Sequence, residues 1–238
     1  MPTRDLNYRC DDVTLRGYLA WNDDAGPQPG VLVFHEGLGL GEFAMERARR
    51  LAGLGYVALA ADMFGDRQQA TNLQEVATLV GGLRAEPEKL RARGRAALSA
   101  LAALPQVDTT RLAAIGFCFG GSVVLELARE GADLKAVVSF HGVLSTKMPA
   151  QAGRVKASVL VLTGAEDPLA PPDQVKGFED EMRAGGVRDW QVIAYGNVLH
   201  GFTNPAADGS MMRTALYNEQ ADRRAWASMR SLIDEVLA

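Results

Sequence analysis

The stretch "RLAAIGFCFGGSVV" (residues 111–124) decides how the rest of the chain is read. The apolar run "RLAAIGF" enters it as a strand, and a helix leaves it from Gly120 to Glu130. Cys118 stands between them, flanked by Phe117 and Phe119 and bracketed by Gly116, Gly120 and Gly121. The glycines permit a sharp reversal where a Cβ would clash. A strand turning directly into a helix is the connection expected of a parallel α/β sheet. Cys118 then has two readings: a small hydrophobe buried near a strand end, or a sulfur presented to a substrate.

Outward from this turn the same alternation recurs. Upstream, "LNYRC" and "VTLRGYLA" read as paired strands separated by Asp11 and Asp12. "DDAGPQPG" breaks the chain before "VLVFH", an apolar run of the kind buried on both faces of a parallel sheet. A helix follows from Glu42 to about Leu54, whose Arg47, Arg49 and Arg50 read as a solvated face. "YVALAAD" is the next strand, and helical patterns cover 71–83 and 87–104. Beyond the cysteine turn come the strands "KAVVSFHG" and "ASVLVLTG", a helix over 172–184, the strand "DWQVIAY" and a terminal helix over 217–237. No internal repeat or long linker divides the chain, so residues 1–238 read as a single α/β domain with a mainly parallel sheet and helices on both faces.

Composition narrows the function classes. The chain has 238 residues, 47% of them hydrophobic and 23% charged, which is ordinary for a globular domain. With 29 acidic and 25 basic side chains the formal charge is −4, and no basic run offers a patch for nucleic acid or a membrane surface. The N-terminus "MPTRDLNYRCDD" has no apolar signal core, and no apolar run is long enough for a membrane span. Two cysteines, Cys10 and Cys118, form no disulfide framework and lie in no metal-ligand spacing. The expectations are a reducing, cytoplasmic setting, no metal and no cofactor.

A strand ending in Gly-x-Cys-x-Gly before a helix is a nucleophile elbow with sulfur in place of oxygen. The helix N-terminus supplies unpaired N–H groups and partial positive charge, which favour a thiolate and an oxyanion. A free thiol with a pKa of about 8.5 is only slightly ionised near neutrality, so it needs a base. No Gly-Lys-Ser/Thr follows the turn, which argues against a nucleotide loop. In such folds the order along the chain is nucleophile, acid, histidine. Of three histidines, His35 precedes the cysteine and His141 precedes any plausible acid loop. His200, in "GNVLHGF" after the last strand, remains as the base. "VLVLTGAEDPLAPP" supplies the acid: Asp167, set in a rigid turn before Pro168, with Glu166 as the alternative. Asp62 lies at a strand end but precedes the cysteine. Phe119 N–H and Gly37 N–H, the latter in "HEGLGLGE", are the expected oxyanion donors. Glu36 in the same loop is either an ordinary polar side chain or a carboxylate beside the thiol that accepts its hydrogen bond or its proton.

Together, "VLVFHEGLGLGEFAMERARRLAGLGYVALAADMFG", "RLAAIGFCFGGS", "TGAEDPLAPP" and "HGFTNP" resemble the dienelactone hydrolase family of α/β-hydrolases, over essentially the whole chain. The resemblance implies an α/β-hydrolase fold without a separate lid domain, and a Cys118–His200–Asp167 triad with Glu36 beside it. It implies hydrolysis of a small ester or lactone through an acyl-thioester. Dienelactone-cleaving members carry an arginine four residues after the catalytic histidine, and here that position is Asn204. An amide offers no bidentate charged fork, so ester or lactone hydrolysis is implied without dienelactone itself. Arg67 and Arg84 are both candidates for a second substrate-binding arginine. Two other readings accompany this one: a thioesterase, and a non-catalytic or redox-sensing protein on the same scaffold. Monomer and homo-oligomer are equally compatible with the sequence.

Overall fold

The computed structural model describes residues 1–23 and 26–238; Asp24 and Ala25, within the expected break "DDAGPQPG", lie outside the described residues. Among the described residues eight strands form one sheet: β1 (Thr3–Cys10), β2 (Val13–Ala20), β3 (Gln28–Phe34), β4 (Val57–Ala61), β5 (Val107–Phe117), β6 (Ala136–Phe140), β7 (Ser158–Gly164) and β8 (Trp190–Tyr195). Their spatial order is β1-β2-β4-β3-β5-β6-β7-β8. The strands from β4 to β8 in that order pair in parallel, while β1 and β2 add an antiparallel edge. Among the described residues the helices are α1 (Glu42–Ala52), α2 (Leu73–Ala85), α3 (Pro87–Ala102), α4 (Phe119–Glu130), α5 (Pro172–Ala184) and α6 (Glu219–Val236).

Alternation along the strands sends residues to two separate cores. Leu32, Phe34, Leu112 and Ala114 pack with residues of α2 to α5 on one face. Val31, Val33, Ala113, Ile115 and Phe117 pack with α1 and α6 on the other. Because both faces are covered, β4 and β6 are buried at every position, which is why they read as unbroken apolar runs.

The chain order in the sheet reverses at β3. From β3, the connection through α1 runs outward to β4; from β4, the connection through α2 and α3 returns past β3 to β5. The crevice above such a reversal, at the carboxyl ends of the strands, is where ligands bind in open α/β sheets. Glu36, Gly37 and Cys118 all follow directly from the ends of β3 and β5.

The structure corrects several boundaries. β3 begins at Gln28, within the expected break: Gln28 pairs with Val107, and the register shifts between Pro29 and Gly30. A proline at the start of a strand and beside an irregularity loses no ladder bond. Asn72 caps α2 by accepting the Glu75 N–H, so that helix starts later than the periodicity suggests. Arg47 is the clearest correction. It is only 3% exposed, not on a solvated face: its guanidinium meets Asp222 of α6 at 3.2 Å and donates to the Thr203 carbonyl at 2.8 Å. Its cationic face covers the rings of Phe43 and Trp226. The acid that pairs with it lies 175 residues away, beyond the reach of local periodicity.

Candidate active site

The turn after β5 is built by close backbone approach. A Cβ on Gly116 would lie 2.0 Å from the Gly120 carbonyl oxygen, and one on Gly120 would lie 2.2 Å from that of Phe34. Cys118, at the apex, has φ 52° and ψ −110°. A non-glycine residue in such a conformation costs about 1–3 kcal/mol and persists only where its surroundings hold it. Here the Cys118 N–H donates to the Phe140 carbonyl at 2.9 Å and to His141 Nδ1 at 3.1 Å. The Cys118 carbonyl accepts from Gly121 and Ser122 in the first turn of α4. The result places the thiol at the head of a helix, partly exposed.

His200 and Asp167 arrive from the loops after β8 and β7. His200 Nδ1 and Asp167 Oδ2 are 2.8 Å apart in a buried contact. The other Asp167 oxygen accepts the Leu169 N–H at 2.8 Å, which fixes the carboxylate. Glu166 is exposed and takes no part. His200 Nε2 is buried with no hydrogen-bond partner of ordinary geometry among the described residues. Burial disfavours a charge on His200, but the neighbouring Cys118 charge and the Asp167 hydrogen bond outweigh it and push the imidazole pKa up to about 10.

The other histidines have different work. His141 Nδ1 accepts the Cys118 N–H, so its proton sits on Nε2 and points to Thr203 Oγ1 at 2.8 Å. His35 Nε2 accepts the Met63 N–H, and its Nδ1 donates to the Glu36 carbonyl at 2.6 Å. Burial, first among the causes, pulls the pKa of each below the ordinary imidazole value. Both are neutral braces, His141 for the elbow and His35 for the β3 loop. Asp62 is a brace too: its carboxylate accepts the N–H groups of Arg16, Phe64, Gly65 and Arg67.

Glu36 reaches toward Asn204, whose Nδ2 donates to Oε2 at 2.6 Å. Burial pushes the Glu36 carboxyl up, against the Asn204 hydrogen bond and the charges of His200 and Arg47. The carboxylate is therefore bound to the residue that departs from the dienelactone pattern, and it makes no hydrogen bond to the thiol. The N–H groups of Gly37 and Phe119 have no acceptor among the described residues. The first N–H of a helix has none within the helix.

These residues border a cavity of about 430 Å³. Leu38, Leu73, Val76 and Val80 supply one apolar wall, Met211 and Met212 another. Arg84 also lines it, partly buried and without a carboxylate partner among the described residues. Arg67 is excluded from the cavity by its bonds to Asp5 and to the carbonyls of Arg16 and Gly17 at the β1–β2 edge. The sequence spacing left those two arginines equal; packing separates them. Sequence reasoning missed Arg47, His141 and Thr203, which support the loops from behind and belong to no local pattern. Among the described residues no three His, Cys, Asp or Glu side chains could hold a metal ion, and no helix is long and apolar enough to cross a membrane.

The sheet order, the helices on both faces and the site above the reversal define an α/β-hydrolase. A family model described as the dienelactone hydrolase family matches residues 15–237, and the chain belongs to that family of hydrolases. A structure described as "m3DLH" is 46% identical with a TM-score of 0.96, covering 100% of this chain and 99% of its own. A dienelactone hydrolase-like promiscuous phosphotriesterase, P91 from metagenomic libraries, is 44% identical with a TM-score of 0.95, at the same coverage. A putative carboxymethylenebutenolidase of Methylorubrum extorquens is 30% identical over 225 residues, 86% of this chain and 77% of that protein.

Proposed function

We propose that the protein hydrolyses small carboxylic esters or lactones with Cys118 as nucleophile, His200 as base and acid, and Asp167 as the group that orients His200. The observation that carries this reading is the buried 2.8 Å His200–Asp167 bond, with the unpartnered Nε2 beside the elbow thiol. Sulfur attacks the carbonyl carbon while the proton rests on His200, whose pKa of about 10 keeps the ring charged beside Cys118. The resulting oxyanion accepts hydrogen bonds from Gly37 N–H and Phe119 N–H. The C–O bond to the alcohol breaks as His200 returns the proton to the leaving oxygen, which leaves an acyl-thioester. Water, deprotonated by His200, then adds to the thioester and releases the acid and the free thiol. Glu36, fastened to Asn204, is a wall of negative or neutral character beside this path and no part of the proton relay.

Cys118→Ala tests it. Turnover of p-nitrophenyl acetate falls by ~10³-fold or more, and wild-type protein quenched during turnover carries acetyl on the Cys118 peptide. Equal rates in the two proteins, or acetyl on another residue, overturn the assignment and leave Cys118 as a binding or redox thiol. The likeness to P91 favours a second reaction at the same site, attack on the phosphorus of a neutral phosphate triester. There the leaving group is again an oxygen and the intermediate is an S-phosphorylated Cys118.

A further inference from the structure

The apolar lining of the 430 Å³ cavity comes from separate segments of the chain. One is α2. Leu73, Val76 and Val80 recur at i, i+3 and i+7, the spacing by which a helix usually meets a core. Here that stripe lines the cavity: Leu83 is the one residue of α2 that is buried, while Leu73 stays 48% exposed. The stripe stands over the loop after β3, since a Cβ on Gly37 would lie 3.0 Å from Val76 Cγ1 and 3.6 Å from Val80 Cγ2. Arg84, one turn past Val80, ends it.

The other wall belongs to the loops that carry the histidine and the acid. The chain after His200 folds back on it: the Thr214 carbonyl accepts the His200 N–H, and the Leu216 N–H donates to the His200 carbonyl, each at 3.0 Å. The Tyr217 N–H closes this loop on the Ala207 carbonyl at 2.8 Å. Met211 and Met212 lie within the closed loop and line the cavity. Leu169, whose N–H is bonded to Asp167, lines it too. Met211 is 45% exposed and Leu169 37%. Large apolar side chains exposed singly are ordinary, but Leu73, Leu169 and Met211 stand around one cavity, and such a cluster marks a binding surface.

The chemistry gives each wall its own occupant. The leaving oxygen must face His200 to receive its proton, so the alcohol lies against the wall built on the His200 and Asp167 loops. The oxyanion lies at the Gly37 N–H, beneath α2, and the acyl chain runs from the carbonyl carbon along the stripe above that loop. We propose that Leu169, Met211 and Met212 form an alcohol subsite and that Leu73, Val76 and Val80 form a distinct acyl subsite. The substrate class they select is an ester apolar on both sides of the scissile bond, a medium-chain acid joined to an apolar alcohol. Unbranched methionine side chains adapt to alcohols of differing shape. The inference rests on the proposed ester hydrolysis. The alcohol leaves with the His200 proton, one water then replaces sulfur on the acyl carbon, and the apolar chains are chemically unchanged.

Esters of simple alkyl alcohols separate the walls, because chain length and not leaving-group reactivity distinguishes them. Hexyl butyrate lengthens the alcohol of ethyl butyrate, and ethyl octanoate lengthens its acid. In the wild type kcat/KM is higher for both long esters than for ethyl butyrate. Met211→Ser lowers the hexyl butyrate to ethyl butyrate ratio about fivefold and leaves the ethyl octanoate ratio in place; Val80→Ser does the reverse. Met211→Leu, close in volume, keeps both ratios. Met211 is exposed, and valine and serine have similar helix propensities, so the variants fold. Ratios that fall together in each variant, or that do not move, overturn the division into two subsites. If the wild type hydrolyses none of the three esters, the hydrolase reading falls and calorimetry with Cys118→Ala decides the walls. Adding Met211→Ser then weakens the Kd of hexyl butyrate about fivefold, and adding Val80→Ser does the same for ethyl octanoate; unchanged values overturn the subsites on their own.

Discussion

Cys118 and His200 illustrate how neighbours distant in sequence set the conformation and charge of single residues. The positive φ of Cys118 is held by Phe140, at the end of the strand beside its own, and by His141, the residue after it. His200 is raised to about 10 against its burial, chiefly by the Cys118 charge. The unfolded histidine has a pKa of about 6.5. A folded pKa above that value means the stability tied to the His200 proton is fully present below about pH 6.5. It is then lost as pH rises through about 10. In wild-type protein the His200 ring is expected to keep its proton to about pH 10. In Cys118→Ala it titrates lower, because the largest raising influence is gone. NMR titration of the ring signals of both proteins checks this, and a wild-type His200 that titrates near the free value of about 6.5 contradicts it.

At the level of the element, the β5–α4 unit combines a strand, a strained turn and a helix that is buried along almost its whole length. Gly120 is the contact on which this depends, since α4 crosses directly over the Phe34 carbonyl at the end of β3. Gly120→Ala forces backbone against backbone and is expected to destabilise the protein by about 1–3 kcal/mol or more. It should also reduce ester turnover in whatever fraction remains folded, because the Phe119 N–H is carried on the same turn. Denaturant melts and turnover measurements check the two effects, and a variant with unchanged midpoint and rate would show that the elbow tolerates separation. This element was legible in the sequence because its signal is local: apolar run, glycines, cysteine, helix. Asn72 at the start of α2 was less legible, because a cap is a hydrogen bond and leaves no periodicity.

For the molecule as a whole, the two cores are tied to the site by charges buried between elements. Arg47 joins α1 to α6 through Asp222 and holds the Thr203 carbonyl in the segment that carries His200. Arg47→Met leaves Asp222 without its partner and is expected to cost about 3–5 kcal/mol, as removal of one member of a buried pair does. The additional Asp222→Leu change should restore part of that loss. Thermal melts of the single and double variants check the coupling; additive losses would mean the two side chains do not act as a pair.

The sequence by itself determined the alternating α/β order and the glycine-rich turn around Cys118, and it singled out His200 and Asp167 as the histidine and acid proposed to act with it. Each of these is written in local spacing or in the order of elements along the chain. Only the tertiary structure decided that Arg47 is a buried brace, that Arg84 and not Arg67 lines the cavity, and that Asn204 engages Glu36. The physical reason is common to all three. Burial and hydrogen-bond partners are set by which distant segments the sheet order brings together, and a residue's local sequence does not record what will stand opposite it.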